Sequence, residues 1–266
     1  MIPSAGNSAN AWEPFIRELA HWTEAGRIAT LWLRDDDAVA ITPALERLVM
    51  LCEAHRVPAL LAVVPAEAKE ELAAYVSTKP LFEVAVHGFS HSNHARAGSK
   101  KEEFPIDRDR GQIEAELTQG RLRLRTLFGP KLTEIFVPPW NRIAVEVAVQ
   151  LPKLGYRALS ALGRKSLLQN PTPVAEINVD LDIIDWRGNR GGRDPAWLAA
   201  KLAKQLAWSR SNGCWAVGIL THHLVHDASA CRFLEELFAQ TVSHPSVRWT
   251  RASDLIPIES HYRQPV

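Results

Sequence analysis

The sequence predicts an α/β fold of parallel strands alternating with helices, as one domain over residues 1–266 with its core at about 28–257. Three observations predict it. Short apolar runs alternate with amphipathic stretches from end to end, with no internal repeat and no low-complexity linker. The 266 residues, 46% of them hydrophobic, suffice for one large core, and a single α/β barrel has this size. Five polar clusters each follow an apolar run, and in such folds the site gathers at the C-terminal ends of the strands.

The elements follow in order. Residues 11–25 carry an amphipathic helical pattern and 28–33 an apolar strand. Thr42-Pro43 starts a helix, with Thr as cap and Pro in the first turn, and Leu45, Leu48, Val49 and Cys52 form its stripe. A strand at 59–64, a helix at 66–76 and a strand at 81–86 come next, and 92–109 is polar and irregular. A helix is expected over 110–128, a strand over 134–137, a helix over 143–151, and strands over 157–160 and 177–184. Asp194-Pro195 caps a helix with Leu198, Leu202 and Leu206 on one face. A strand at 215–220, a helix at 228–241 and a strand at 247–249 complete the series.

Composition excludes several classes. A net charge of +1 predicts no nucleic-acid face and no preference for acidic lipid. The three cysteines, Cys52, Cys214 and Cys231, are far apart and form no metal or redox pair, which suits a reducing compartment without disulfides. Residues 1–10 lack a basic and an apolar signal region, and no apolar run is long enough for a membrane span, so a cytoplasmic location is expected.

The chemistry concentrates in the five clusters. Arg34-Asp35-Asp36-Asp37 places three carboxylates after a strand, where desolvation makes unpaired charge costly. His87-Gly88-Phe89-Ser90-His91 ends another strand, and histidines four apart can point at one ion. Together they could supply one oxygen and two imidazole ligands, with a second Asp free as a general base. A solvated turn and a surface loop are the plainer alternatives for these two segments. Nearby His94 is ranked outside the ligand set. Pro138-Pro139-Trp140 would hold an aromatic wall on a rigid backbone, or be a simple turn. Asp182-Ile183-Ile184-Asp185-Trp186 aims an Asp at a polar place. Leu220-Thr221-His222 puts a histidine at a strand tip, suited to a general acid or to a satisfied strand-end role.

In this order, from about residue 28 to His223, the five segments resemble the motifs of the polysaccharide deacetylase (NodB-homology) family. The resemblance implies a distorted (β/α) barrel of about seven parallel strands that removes acetyl groups from N-acetylated sugars. It makes Asp36 the base and Asp37, His87 and His91 the ligands of one divalent metal ion. Zinc fits that set best, while cobalt, nickel and iron(II) would accept similar ligands. It makes His222 the acid and Asp185 its hydrogen-bond partner. Pro139, Trp140, Trp186 and Arg34 are then the candidate substrate contacts. Two departures stand out: Ala38 replaces the family's Gly, and Val137 replaces the Arg that orients the base, for which Arg34 or Arg142 are candidate substitutes. With three acids in a row, Asp35/Asp36 is the competing base/ligand pair.

The expected partner is a small-molecule or oligosaccharide substrate. Arg187, Arg190 and Arg193 on a glycine-rich loop allow it to be anionic, or the loop is only a solvated connection. The alternatives to a sugar deacetylase are a deformylase, a hydrolase of a small non-sugar amide, and a metal-binding glycan-binding barrel without activity.

Overall fold

The computed structural model describes residues 11–168, 174–213 and 216–257. In chain order its elements are α1 (Glu13–Glu24), β1 (Ala29–Ala38), α2 (Pro43–His55), β2 (Ala59–Val63), α3 (Glu70–Ser77), β3 (Phe82–His87) and α4 (Arg110–Phe128). There follow β4 (Leu132–Val137), α5 (Val145–Ala148), β5 (Ala158–Leu159), β6 (Ala175–Glu176) and β7 (Leu181–Asp182). The series ends with α6 (Pro195–Ser211), β8 (Val217–Thr221), α7 (Ala228–Thr241) and β9 (Val247–Trp249). The caps that the sequence announces are in place. Thr42 Oγ1 accepts from Leu45 N at 3.1 Å, and Asp194 Oδ1 accepts from Trp197 N at 2.8 Å.

The described strands pair in parallel in the order β6-β5-β4-β3-β2-β1-β8-β7, with β9 beside the start of β1. β6 and β7 are the two ends of one extended segment. Its first part bonds to the β5 side, with Ile177 N donating to Leu159 O at 3.0 Å and Val179 N to Ala161 O at 2.9 Å. Its second part bonds to β8, with Asp180 N donating to Gly218 O at 2.8 Å. The sheet therefore curls back on itself into a distorted barrel, as the resemblance implies.

Strand alternation sorts the residues into two packed layers. Trp32, Leu60, Ala62, Ala85, Ile135, Val137 and Leu220 fill the barrel interior. Leu31, Leu33, Leu61, Val84, Val86, Phe136 and Ile219 face the surrounding helices. Arg34 and Asp36 continue the inward row of Trp32, and Asp35 continues the outward row of Leu33. That parity decides what each acid can do.

Some elements differ from expectation. β1 runs on to Ala38, so the three acids lie within the strand, because their charges find partners there. The helix expected at 66–76 starts only at Glu70. The helix expected at 143–151 shrinks to Val145–Ala148, and Pro152 then sits in a short 3-10 turn. Cys214 and Trp215 lie outside the described residues. Cys52 is buried and unpaired, and Cys231 is half-buried and unpaired. Among the described residues no helix is long and apolar enough to cross a membrane.

Candidate active site

The ligand cluster begins with a break in β1. Between Asp35 and Ala38 the register against β2 slips by one residue, and Asp37 sits at φ 71°. Simple alternation would turn Asp37 outward beside Asp35. The left-handed backbone, which Asp tolerates better than most residues, swings its carboxylate over the barrel mouth. There Asp37 Oδ1 lies 3.1 Å from His87 Nε2 and 3.3 Å from His91 Nε2. One ligand atom from each of the three side chains falls within 4.8 Å of the others.

His87 ends β3 on the inward face. Its Nδ1 lies 3.0 Å from Val137 O, which as acceptor fixes Nδ1 as the protonated nitrogen and frees Nε2 for an ion. His91 stands on a left-handed residue, φ 56°, after a sharp turn at Gly88, φ 60°. A Cβ at Gly88 would lie 1.9 Å from Glu103 Oε2 and 2.6 Å from Pro139 Cγ, so only glycine fits. Glu103 is fully buried and ties the turn down, accepting from Phe89 N at 3.2 Å and Ser90 N at 2.8 Å. Nothing in the polar 92–109 stretch marks Glu103 as different from Glu102 beside it, so sequence reasoning passes over it.

The electrostatics favour a cation. Burial alone would push the Asp37 carboxyl up, but the His87 hydrogen bond and the nearby imidazoles hold it well below the usual carboxylate range. Burial alone would lower His87, and the hydrogen bond to Asp37 with the charges of Asp36 and Asp37 raises it instead. Burial lowers His91, and His87 adds to that. An ionised carboxylate and two imidazole nitrogens converging on one point form a donor set that fits a divalent ion.

Beneath the cluster, Asp36 is 2% exposed and Arg34 is fully buried. Arg34 Nε lies 2.9 Å from Asp36 Oδ1, and Nη2 donates to Asp36 Oδ2 at 3.0 Å. Nη2 also donates to Asn141 Oδ1 at 2.7 Å, and Nη1 to Ser160 O at 2.9 Å and Ser160 Oγ at 2.8 Å. The expectation that Arg34 touches substrate is therefore corrected: a fully buried guanidinium orients the carboxylate beside it. Of the two candidate substitutes for the arginine absent at Val137, it is Arg34 that meets Asp36. Arg142 instead donates to Lys101 O at 3.1 Å.

Asp35 faces the helix side and is consumed there. It accepts from His223 N at 2.8 Å through Oδ1 and meets His223 Nδ1 at 2.6 Å through Oδ2. The competing pair Asp35/Asp36 is not the arrangement found, because the two acids lie on opposite faces of β1. The Asp35–His223 pair instead pins the turn after β8, where His222 points inward.

His222 Nε2 lies 3.9 Å from Asp36 Oδ2. Its partner differs from expectation. Asp185 lies 3.3 Å from Arg193 Nη1 and makes no hydrogen bond to His222, whose Nδ1 is buried without a hydrogen-bond partner among the described residues. Asp182 is the carboxylate on this side of the cleft: burial raises it, while the charge of His222 opposes the rise. It accepts from Trp186 Nε1 at 2.8 Å. The spacing Asp-x-x-Asp-Trp does not say which Asp turns inward; Ile183 N bonding Leu220 O at 3.0 Å does.

Two tryptophans flank the cleft. Trp140, at φ 53°, sets its ring 4.4 Å from that of His91, and Trp186 sets its ring 4.7 Å from that of His222. Pro139, expected at the substrate, is buried against Gly88 and supports the turn instead. His94 is exposed.

No protein-family model matches the chain, and no curated protein matches it. Solved structures do. A peptidoglycan N-acetylglucosamine deacetylase is 12% identical with a TM-score of 0.59, covering 86% of this chain and 88% of its own. A family 4 acetyl xylan esterase from Clostridium thermocellum, in complex with a cobalt ion, is 15% identical with a TM-score of 0.53, covering 85% and 89%. A mutant of a CE4-family pseudoenzyme with restored activity is 15% identical with a TM-score of 0.56, covering 87% and 68%. At these identities the likeness is one of fold: the chain has the distorted barrel of the CE4 polysaccharide deacetylases, with an Asp-His-His group that could hold a metal at its mouth.

Proposed function

We propose that the protein is a metal-dependent hydrolase of C–N amide bonds that removes the acetyl group from an acetylated sugar or sugar derivative. The observation that carries this reading is Asp36, an acid clamped by Arg34 beside the three-ligand group and 3.9 Å from His222. A binding protein has no need of a base and an acid facing each other across such a group.

Asp37, His87 and His91 would hold the ion, which supplies Lewis acidity toward the amide carbonyl and the attacking water. Zinc suits one carboxylate and two imidazoles best. Asp36 takes the water's proton on a carboxylate that Arg34 keeps in one orientation. His222 gives its Nε2 proton to the departing nitrogen, so that amide and water become acid and amine. The backbone N–H of Trp140 is the candidate donor to the developing oxyanion, since those of Asn141 and Arg142 are spent on Pro138 O and Pro139 O. Trp140 and Trp186 supply flat apolar faces for a sugar ring.

Unpaired Cys52 and Cys231 accord with a cytoplasmic location. A cytosolic acyl-sugar, a sugar nucleotide or a formylated amide then suits better than a wall polymer. Two observations favour a second reading, a glycan-binding barrel without activity: His222 Nδ1 has no hydrogen-bond partner among the described residues, and Asp185 is spent on Arg193. Stripping the protein with chelator, reloading it with zinc and screening N-acetylated and N-formylated sugars for amine release separates the two. The hydrolase reading expects metal-dependent amine. Fully loaded protein that releases none from any substrate supports the binding barrel.

A further inference from the structure

Both aromatic walls of the cleft carry a cation. Lys101 Nζ lies 5.6 Å from the centre of the Trp140 ring, and Arg190 Cζ lies 6.0 Å from that of Trp186. Each cation is anchored through its own backbone. Lys101 O accepts from Arg142 at 3.1 Å, and Arg190 N donates to Asp185 O at 2.9 Å. The Arg190 loop is a closed hairpin. Asp185 N donates to Gly191 O at 2.8 Å, Ile184 bridges Gly192, and Asp227 Oδ1 accepts from Gly192 N at 3.0 Å. A Cβ at Gly192 would lie 2.2 Å from Ala230 N, so the glycine lets the loop seat on α7.

These cations are not needed to balance the acids below. Arg34 matches Asp36, the two imidazoles match Asp37, and Arg193 matches Asp185. Neither Lys101 nor Arg190 has a carboxylate partner among the described residues, whereas Arg193 has one and packs over Trp197 at 5.0 Å. Of the arginines on this loop, Arg193 is thus removed from any role with a ligand. A sugar ring lying between the two tryptophans would meet one free positive charge at the edge of each face.

We infer that the cleft selects an acylated sugar bearing a carboxylate or phosphate group, gripped by Lys101 at the Trp140 wall and Arg190 at the Trp186 wall. This rests on the hydrolase reading for the acyl group, and on the rim alone for the charge. A contact between a cation and an anion discriminates because the neutral analogue leaves the cation with water as its only partner.

The test is calorimetric titration of the zinc-loaded protein with N-acetylglucosamine, its 6-phosphate and N-acetylmuramic acid. The expected result is about tenfold tighter binding of at least one acidic sugar than of the neutral one. Which acidic probe gains most separates phosphate from carboxylate. The preference should shrink as salt is raised, because the contacts are exposed. Lys101→Ala with Arg190→Asn should reduce it to about twofold or less while neutral-sugar binding is unchanged. Asn is chosen because Arg190 sits at φ 60°, which Asn accepts. Equal affinity for acidic and neutral sugars, no measurable binding of the acidic ones, or a preference that survives the double substitution overturns the inference. A preserved preference without amine release would sink only the hydrolase reading. Amine release from neutral sugars with no preference for the acidic ones would sink only this one.

Discussion

On the β1–β3 side of the cleft the charged side chains around the ion site are matched, whereas the β7–β8 side hangs on an exposed loop. Arg34 is fully buried and meets Asp36, Asn141 and Ser160, while Glu103, also fully buried, clamps the turn that presents His91. Across the cleft Trp186 is 38% exposed, and His222 has one nitrogen without a hydrogen-bond partner among the described residues. The comparison teaches that the ion site and the base are built into the barrel, and the acid and substrate walls are added to its rim. Damage to the first half should cost stability together with activity. Damage to the second should cost mainly activity.

The largest effect is expected from Arg34→Ala. It leaves the Asp36 carboxylate buried and alone, and breaking a buried ion pair from one side costs about 3–5 kcal/mol. Denaturant unfolding should show that loss, and amine release should fall with it. Arg34→Lys is the sharper probe, because a lysine keeps the charge but not the two-point grip. It should recover most of the stability and little of the turnover. If Arg34→Lys restores full turnover, orientation of Asp36 is not what the guanidinium supplies.

Next in size is Glu103→Gln. The amide can keep one of the two backbone bonds to Phe89 and Ser90 but loses the charge, at about 1.5–3 kcal/mol. Zinc affinity should weaken alongside, since His91 is held by that turn. Unchanged zinc affinity in calorimetry would detach the turn from the metal site.

The Asp35–His223 pair gives a pH signature. Burial alone would lower His223, but Asp35 outweighs it and raises His223 above its ordinary value, with Asp37 adding to the rise. A raised histidine stabilises the fold fully below its unfolded value of about 6.5, and that stabilisation is lost as pH rises through the higher folded value. The thermal midpoint should therefore fall between neutral and mildly alkaline pH. His226 also faces the pair, and burial lowers it, so it titrates below this window. His223→Asn keeps a donor toward Asp35 without titrating and should flatten that part of the profile by about 1 kcal/mol. An unchanged slope would assign the pH response to other groups.

The smallest effects belong to the rim. Asp182→Ala frees the Trp186 indole and should raise KM about fivefold, and it costs about 1–3 kcal/mol of stability because Ile184 N, which donates to Asp182 Oδ1 at 2.9 Å, loses its partner. Asp185→Ala should leave the rate within about twofold, since its partner is a half-buried arginine away from His222. The reverse order, with Asp185 the costly one, would mean that this carboxylate turns to His222 during catalysis.

The split between the halves also explains what was legible in the sequence. Strand ends carrying Asp37, His87, His91 and His222 stood out because charges or imidazoles follow apolar runs. The end of β1 was misplaced because Arg34, Asp35 and Asp36 look unlike strand residues until their partners on distant elements are known. In the sequence Arg34 reads as a substrate contact for the same reason: Ser160 and Asn141, which hydrogen-bond it, lie far away in the chain. Glu103 was invisible beside Glu102. The swap of Asp185 for Asp182 turns on one strand's register, which two identical residues three apart cannot reveal.

The central claim is that Asp36 acts on water while Asp37, His87 and His91 hold the ion. Measuring zinc content and amine release together in Asp36→Asn and Asp37→Asn tests it most directly. The account predicts that Asp36→Asn retains zinc and loses turnover by at least about a hundredfold, as expected for removal of a general base. Asp37→Asn should lose both. Zinc lost from Asp36→Asn and kept by Asp37→Asn, or turnover surviving in Asp36→Asn, would contradict it.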